Sequence, residues 1–248
     1  ILVRKAVAER AQTTYSVAKH LNASFGRFAC LLLDVLDRGQ LFNLVSKYAQ
    51  LLDTHRTDAT LTEFKFTFLD QLASHRDFIA LNAPKIEKDL PTLGKELWRR
   101  HFLIALILTE ANRTYELVAA HESLTHLAVS CTDFLFAQFR RMQEDSRFSS
   151  ATASARLASM YFPLVPLLAD RVTTLANWPL STRRRATVCA LWVLNHVEAD
   201  QLTKWWKNET PARHCGVLAL LRVALGAFRL VDPQKQTTKR GTKSLSSS

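Results

Sequence analysis

Glycine and proline are scarce, 6 and 7 in 248 residues. A sheet protein of this length needs turn residues every ~10 positions, so the shortage excludes an all-β class and points to helices. Cysteine is sparser still. Cys30, Cys131, Cys189 and Cys215 lie far apart with no C-x-x-C pair, which excludes a zinc ribbon or a disulfide framework. They read as buried free thiols in a reducing compartment. The longest apolar run, Phe102 to Leu108, falls well short of the ~18 residues of a membrane span. There is no signal-peptide pattern, and the chain opens mid-pattern without an initiator Met, as expected of a piece of a longer polypeptide. Phosphate loops of the Walker type, G-x-G-x-x-G and G-x-S-x-G are all missing.

What is present is apolar periodicity. Apolar residues make up 48% of the chain, enough for a substantial core. Val3, Val7, Ala11, Tyr15 and Ala18 form one helical stripe; Leu41, Leu44, Val45, Tyr48 and Leu52 form another after a break at Asp37-Arg38-Gly39. Thr60 and Glu63 have capping-box spacing, and the helix they open is expected to stop before Asn82-Ala83-Pro84. Residues 85–96 read as a polar connector. Leu97 to Leu117 reads as one helix, apolar on every face and so deeply buried. Leu124, Leu127, Ala128, Cys131 and Leu135 stripe the next. The loop near 146–152 separates two halves. Pro163 and Pro166 should break the segment Ala155–Thr173. Helices are predicted over 182–197, 199–207 and 211–229, the last capped by Thr210-Pro211.

Helices of unequal length with no sustained heptad seam predict an all-α, armadillo/HEAT-like stack of antiparallel helix pairs over residues 1–232. Residues 233–248 read as a disordered, basic, Ser/Thr-rich linker.

The formal charge is +11 and the pI about 9.8. Lys235, Lys239, Arg240 and Lys243 place four of these charges on the tail. Nucleic acid or an anionic membrane could draw on such an excess. Arg183-Arg184-Arg185 and Trp205-Trp206 are the candidate cationic and stacking elements; the plainer expectation is a solvated face and at least one core tryptophan.

His121 and His126 stand five apart, not the four that puts two imidazoles on one helix face, so a zinc site is not expected there. His214-Cys215 point apart, and Asp34 with Asp37 reads as helix-end capping. No catalytic, cofactor-binding or metal residue is assigned. Asn22, Asn112 and Asn208 head glycosylation sequons, which matter only in a secreted chain.

Several stretches in order resemble the helical region of dedicator-of-cytokinesis (DOCK) proteins. They are Leu36-Asp37-Arg38-Gly39-Gln40-Leu41-Phe42-Asn43-Leu44-Val45, Phe64-Lys65-Phe66-Thr67-Phe68-Leu69 with Ser74-His75 and Leu81-Asn82-Ala83-Pro84, and Arg100-His101-Phe102-Leu103. Ala155 to Leu164 (including Tyr161 and Pro163), Leu191-Trp192-Val193-Leu194-Asn195 and Leu202-Thr203-Lys204-Trp205-Trp206 complete the set. The similarity is greatest to the zizimin-related branch. His75-Arg76-Asp77-Phe78 and Ala227-Phe228-Arg229-Leu230 depart from the family pattern.

The resemblance implies a non-catalytic scaffold segment of a guanine-nucleotide exchange factor for Rho-family GTPases, lying between a lipid-binding C2-like domain and an exchange domain. Implied partners are the GTPase through that absent exchange domain, the neighbouring domains and a second copy in a homodimer, with weak contact to anionic membrane. The implied place is the cytoplasm, with recruitment to the plasma membrane. The alternative is a stand-alone basic helical-repeat module that binds nucleic acid or another protein.

Overall fold

The computed structural model describes residues 7, 14–53, 57–78, 82 and 89–228. Among them every regular element is helical. The α-helices are α1 (Tyr15–Leu33), α2 (Arg38–Leu52), α3 (Ala59–Ala73), α4 (Lys95–Arg100), α5 (Phe102–Ala120) and α6 (Thr125–Glu144). They continue as α7 (Ala151–Tyr161), α8 (Leu164–Ala169), α9 (Val172–Ala176), α10 (Leu180–His196), α11 (Ala199–Asn208) and α12 (Pro211–Phe228).

Local chemistry sets most of these starts. Asp37 Oδ1 accepts from the amides of Gly39 (2.9 Å) and Gln40 (3.3 Å), so the predicted break at Asp37-Arg38-Gly39 is the cap of α2. Ser150 and Thr210 cap α7 and α12 through the amides of Ala153 and Arg213. The expected Thr60–Glu63 capping box does not form. Asp58, two residues earlier, takes the amides of Thr60 (2.8 Å) and Leu61 (3.3 Å), because a carboxylate is the stronger acceptor for these orphan donors. Glu63 is left to accept from the Tyr15 hydroxyl and pair with Lys19.

Helix α3 ends at Ala73, well before Asn82. The Ser74 hydroxyl donates to the Asp70 carbonyl at 2.6 Å, and the Ser74 amide closes the last turn. The helix expected from Leu97 to Leu117 is divided at His101. Asn82 is the cause: its Oδ1 accepts the Ile104 amide at 3.1 Å, and its carbonyl meets His101 Nδ1. One buried side chain thus caps α5 from outside the helix. As expected, Phe102 to Leu108 are buried all round. The prolines act as predicted. Neither Pro163 nor Pro166 has an amide to donate, so α7 stops at Tyr161, the Phe162 amide takes the Ser159 carbonyl, and α8 begins as a separate short helix.

The helices stack in series. α1 packs against α3, α3 against α6, α6 against α10 and α10 against α12. α2, α5, α7 and α8 fill the second layer, α5 against α3, α6 and α7, and α8 against α10 and α12. This is the all-α stack of helix pairs expected from the sequence. The core is a chain of aromatic nodes, one at each junction. Phe25, Tyr48 and Phe68 join α1, α2 and α3. Phe139, Tyr161 and Trp192 join α6, α7 and α10. Phe162 packs on Trp205 of α11 at 4.9 Å.

Candidate interaction surfaces

The residues that could carry chemistry are engaged in the fold. His121 ends α5 and His126 lies in the first turn of α6; both are exposed. His214 stacks on Trp206 at 4.2 Å, with Nε2 at 2.7 Å from the Trp206 carbonyl oxygen, while Cys215 is exposed. Each arginine of the run has a partner within the chain. Arg183 donates to the Ala176 carbonyl, Arg184 to the Ala227 carbonyl, and Arg185 pairs with Asp133. Trp205 is buried and Trp206 half-buried with His214 stacked on its ring, so the pair serves mainly as packing. Asn22 is buried, bridging the Tyr48 hydroxyl (2.6 Å) and the Phe64 carbonyl (3.0 Å), so the Asn22 sequon offers no accessible acceptor.

Asp34, His75 and Asp77 converge where α1 ends near the end of α3. His75 Nδ1 accepts the Asp77 amide at 3.2 Å, so the neutral ring carries its proton on Nε2, which faces Asp34 Oδ1 at 3.4 Å. Arg76 also donates to Asp34, at 3.0 Å. With both ring nitrogens in use and a guanidinium on the carboxylate, the group is an ion-pair cluster.

Sequence reasoning missed a buried charge cluster. Lys65, Asp53, Glu110 and Arg113 come from α3, the end of α2 and α5. Lys65 Nζ lies 2.7 Å from Asp53 and 2.9 Å from Glu110, and Arg113 lies 2.7 Å from Glu110. Lys65 is 4% exposed and Glu110 1%. Burial works to lower the Lys65 pKa, but Glu110 and Asp53 outweigh it and hold the ammonium above its ordinary value. Lys65 and Glu110 each sit within an apolar run, so only their charge set them apart in the sequence.

The expectation of buried cysteines holds for Cys131 and Cys189 only. Burial pushes the Cys131 thiol up to about 12 and the Cys189 thiol further in the same direction. Cys30 is half-buried, its thiol donating to the Gln71 carbonyl at 3.2 Å, and its pKa is raised by burial and then by Asp34. Cys215 is exposed because α12 turns that face away from α8 and α10. A thiol reagent at neutral pH should therefore modify Cys215 quickly, Cys30 slowly, and the other two only on unfolding. Peptide mapping by mass spectrometry checks the order; early labelling of Cys131 or Cys189 would contradict it.

An open concavity of about 750 Å³ lies between α10, α11 and α12. Leu191, Trp192, Leu202, Trp205, Trp206 and Phe228 line it. On the outside of α12, Leu218 and Leu225 are 57% and 76% exposed. α12 thus carries apolar residues outward as well as on its buried side, where Val217 and Leu220 lie. These features suit docking of another protein segment and contain no nucleophile–base pair.

A family model described as "DOCK6-11, TPR domain" matches residues 2–73. Mouse dedicator of cytokinesis protein 6 is 26% identical over 220 residues, covering 75% of this chain and 10% of its own length. The Arabidopsis thaliana protein guanine nucleotide exchange factor SPIKE 1 is 24% identical over 202 residues, covering 82% and 10%. Human dedicator of cytokinesis protein 9 is 27% identical over 177 residues, covering 67% and 8%. The chain thus spans about a tenth of the length of these relatives. No solved structure matches it. The ordered segments, the stacked helix pairs and these matches agree: the chain is similar to a helical region of dedicator-of-cytokinesis proteins.

Proposed function

We propose that this chain is the non-catalytic scaffold segment of a DOCK-like guanine-nucleotide exchange factor for Rho-family GTPases, with residues 1–232 as the scaffold and 233–248 as a linker. It holds lipid-binding and exchange domains at a set distance in a cytoplasmic protein recruited to the plasma membrane. The serial packing of α1, α3, α6, α10 and α12 carries the reading, because a stack in which each helix rests on the next transmits position along its length. The tail, with its four cations, lies outside the described residues, and among those residues no helix is long and apolar enough to cross a membrane. A nucleic-acid module is not favoured, since Arg183, Arg184 and Arg185 each have a partner within the chain.

Two measurements test the proposal. The chain should leave nucleotide release from Rho-family GTPases unchanged; acceleration would make it catalytic. Spin labels at the exposed positions Ser16 and Arg222, at opposite ends of the stack and diluted with unlabelled chain, should give one narrow distance distribution by pulsed electron resonance. A broad distribution would rule out a rigid spacer.

A further inference from the structure

α1 has two faces. Ala18, Asn22, Gly26 and Ala29 are buried in the domain. A second stripe, Val17, Leu21, Ser24, Phe28 and Leu31, continued by Val35 in the turn just past the helix end, advances by alternating steps of four and three residues. That spacing averages 3.5 and is the seam of a coiled coil, a local feature in a chain that otherwise has none. The stripe faces solvent: Val17 is 38% exposed, Phe28 52%, Leu31 66% and Val35 79%. Ser24 is exposed and Leu21 half-buried.

The seam is symmetric about Gly26. Val17 and Val35 lie nine residues to either side, Leu21 and Leu31 five, and Ser24 and Phe28 two. Reversing the helix therefore sets valine on valine and leucine on leucine, and lays the large Phe28 ring over the small Ser24. Val17, Ser24 and Leu31 occupy one of the two seam positions and Leu21, Phe28 and Val35 the other, so each layer of an antiparallel pair joins unlike positions.

The flanking edge of the seam carries the exposed residues His20, Arg27 and Asp34. In the reversed arrangement Asp34 of one copy lies beside His20 of the other at both ends. The two Arg27 side chains meet near the axis, a like-charge contact that salt screens. A parallel pair would instead set Phe28 on Phe28 and hold the His20 and Asp34 edges of the two copies on opposite sides of the seam.

We infer that α1 is a self-association surface, pairing antiparallel with α1 of a second copy through Val17, Leu21, Ser24, Phe28, Leu31 and Val35. The inference is independent of the scaffold reading. With fewer than three heptads the interface is small, and micromolar association fits it.

Sedimentation of the 248-residue chain across a concentration series should show a monomer–dimer equilibrium. Leu31→Glu should weaken it by more than about tenfold. Because Leu31 is mostly exposed, circular dichroism and the melting temperature should be unchanged. Arrangement is read by cross-linking in a Cys215→Ser background. Val17→Cys mixed with Val35→Cys should be joined by a short bismaleimide, and neither variant alone should be. A monomer at every concentration, or a dimer indifferent to Leu31→Glu, overturns the inference. Cross-linking of Val17→Cys to itself overturns the antiparallel pairing.

Discussion

Replacing Lys65 by methionine is expected to destabilise the domain by about 3–5 kcal/mol, the usual cost of removing one partner from a buried ion pair. Methionine keeps most of the side-chain volume, so little of the loss comes from a cavity. It comes from Asp53 and Glu110, both 11% exposed or less, which lose the ammonium that lies between them. Adding Glu110→Leu removes one of the stranded carboxylates, and the double variant should be more stable than Lys65→Met alone. Urea unfolding of the three proteins reads the differences. A Lys65→Met variant within about 1 kcal/mol of the parent would mean that the cluster is solvated in the native protein.

The cluster also has a pH signature. The folded state raises the Lys65 pKa, so its contribution is complete below the ordinary lysine range and fades as pH rises through the elevated value. The raised thiol pKa of Cys131 acts in the same direction, costing stability between the ordinary thiol range and about 12. Denaturant midpoints should therefore fall on the alkaline side.

The second large effect concerns the node at α6, α7 and α10. Phe139 is 1% exposed, with its ring centroid 5.0 Å from Tyr161 and 5.2 Å from Trp192. Phe139→Ala should cost about 3–5 kcal/mol through lost burial and the cavity left behind. Phe139→Leu refills part of the space and should cost less. The contrast is Leu225→Ala on the open face of α12, which should stay within about 0.5 kcal/mol if that face is free in solution. Thermal melts followed by tryptophan fluorescence separate these cases, since Trp192 reports directly on the node. A Phe139→Ala protein as stable as Leu225→Ala would show that the node is not packed as described.

Much of the fold was legible because it depends on local chemistry. A shortage of turn residues, repeated helical spacing and two prolines in one segment act within a few positions of themselves, whatever surrounds them. The α7–α8 break and the starts of α10, α11 and α12 accordingly lie within about two residues of expectation, the usual uncertainty of helix ends. The failures share one cause. The division at His101 depends on Asn82, 19 residues earlier in the chain. Asp58, not Thr60, became the cap, because the helix begins at Ala59 and Thr60 lies within its first turn with its own amide bonded to Asp58. Cys215 is exposed because of where α12 meets α8 and α10, which no stripe of residues specifies.

The sequence by itself determined that this protein is helical, where several of its helices must break, and which family's helical region it resembles, because those properties follow from short-range preferences and ordered segments. Tertiary structure alone decided which polar groups went inside. Lys65, Asp53 and Glu110 became one buried cluster, and Arg183, Arg184 and Arg185 each acquired a separate partner within the chain. It also decided which of the two stripes on α1 was buried. Both are compatible with a helix surface, and only the direction from which α3 packs leaves the palindromic one open.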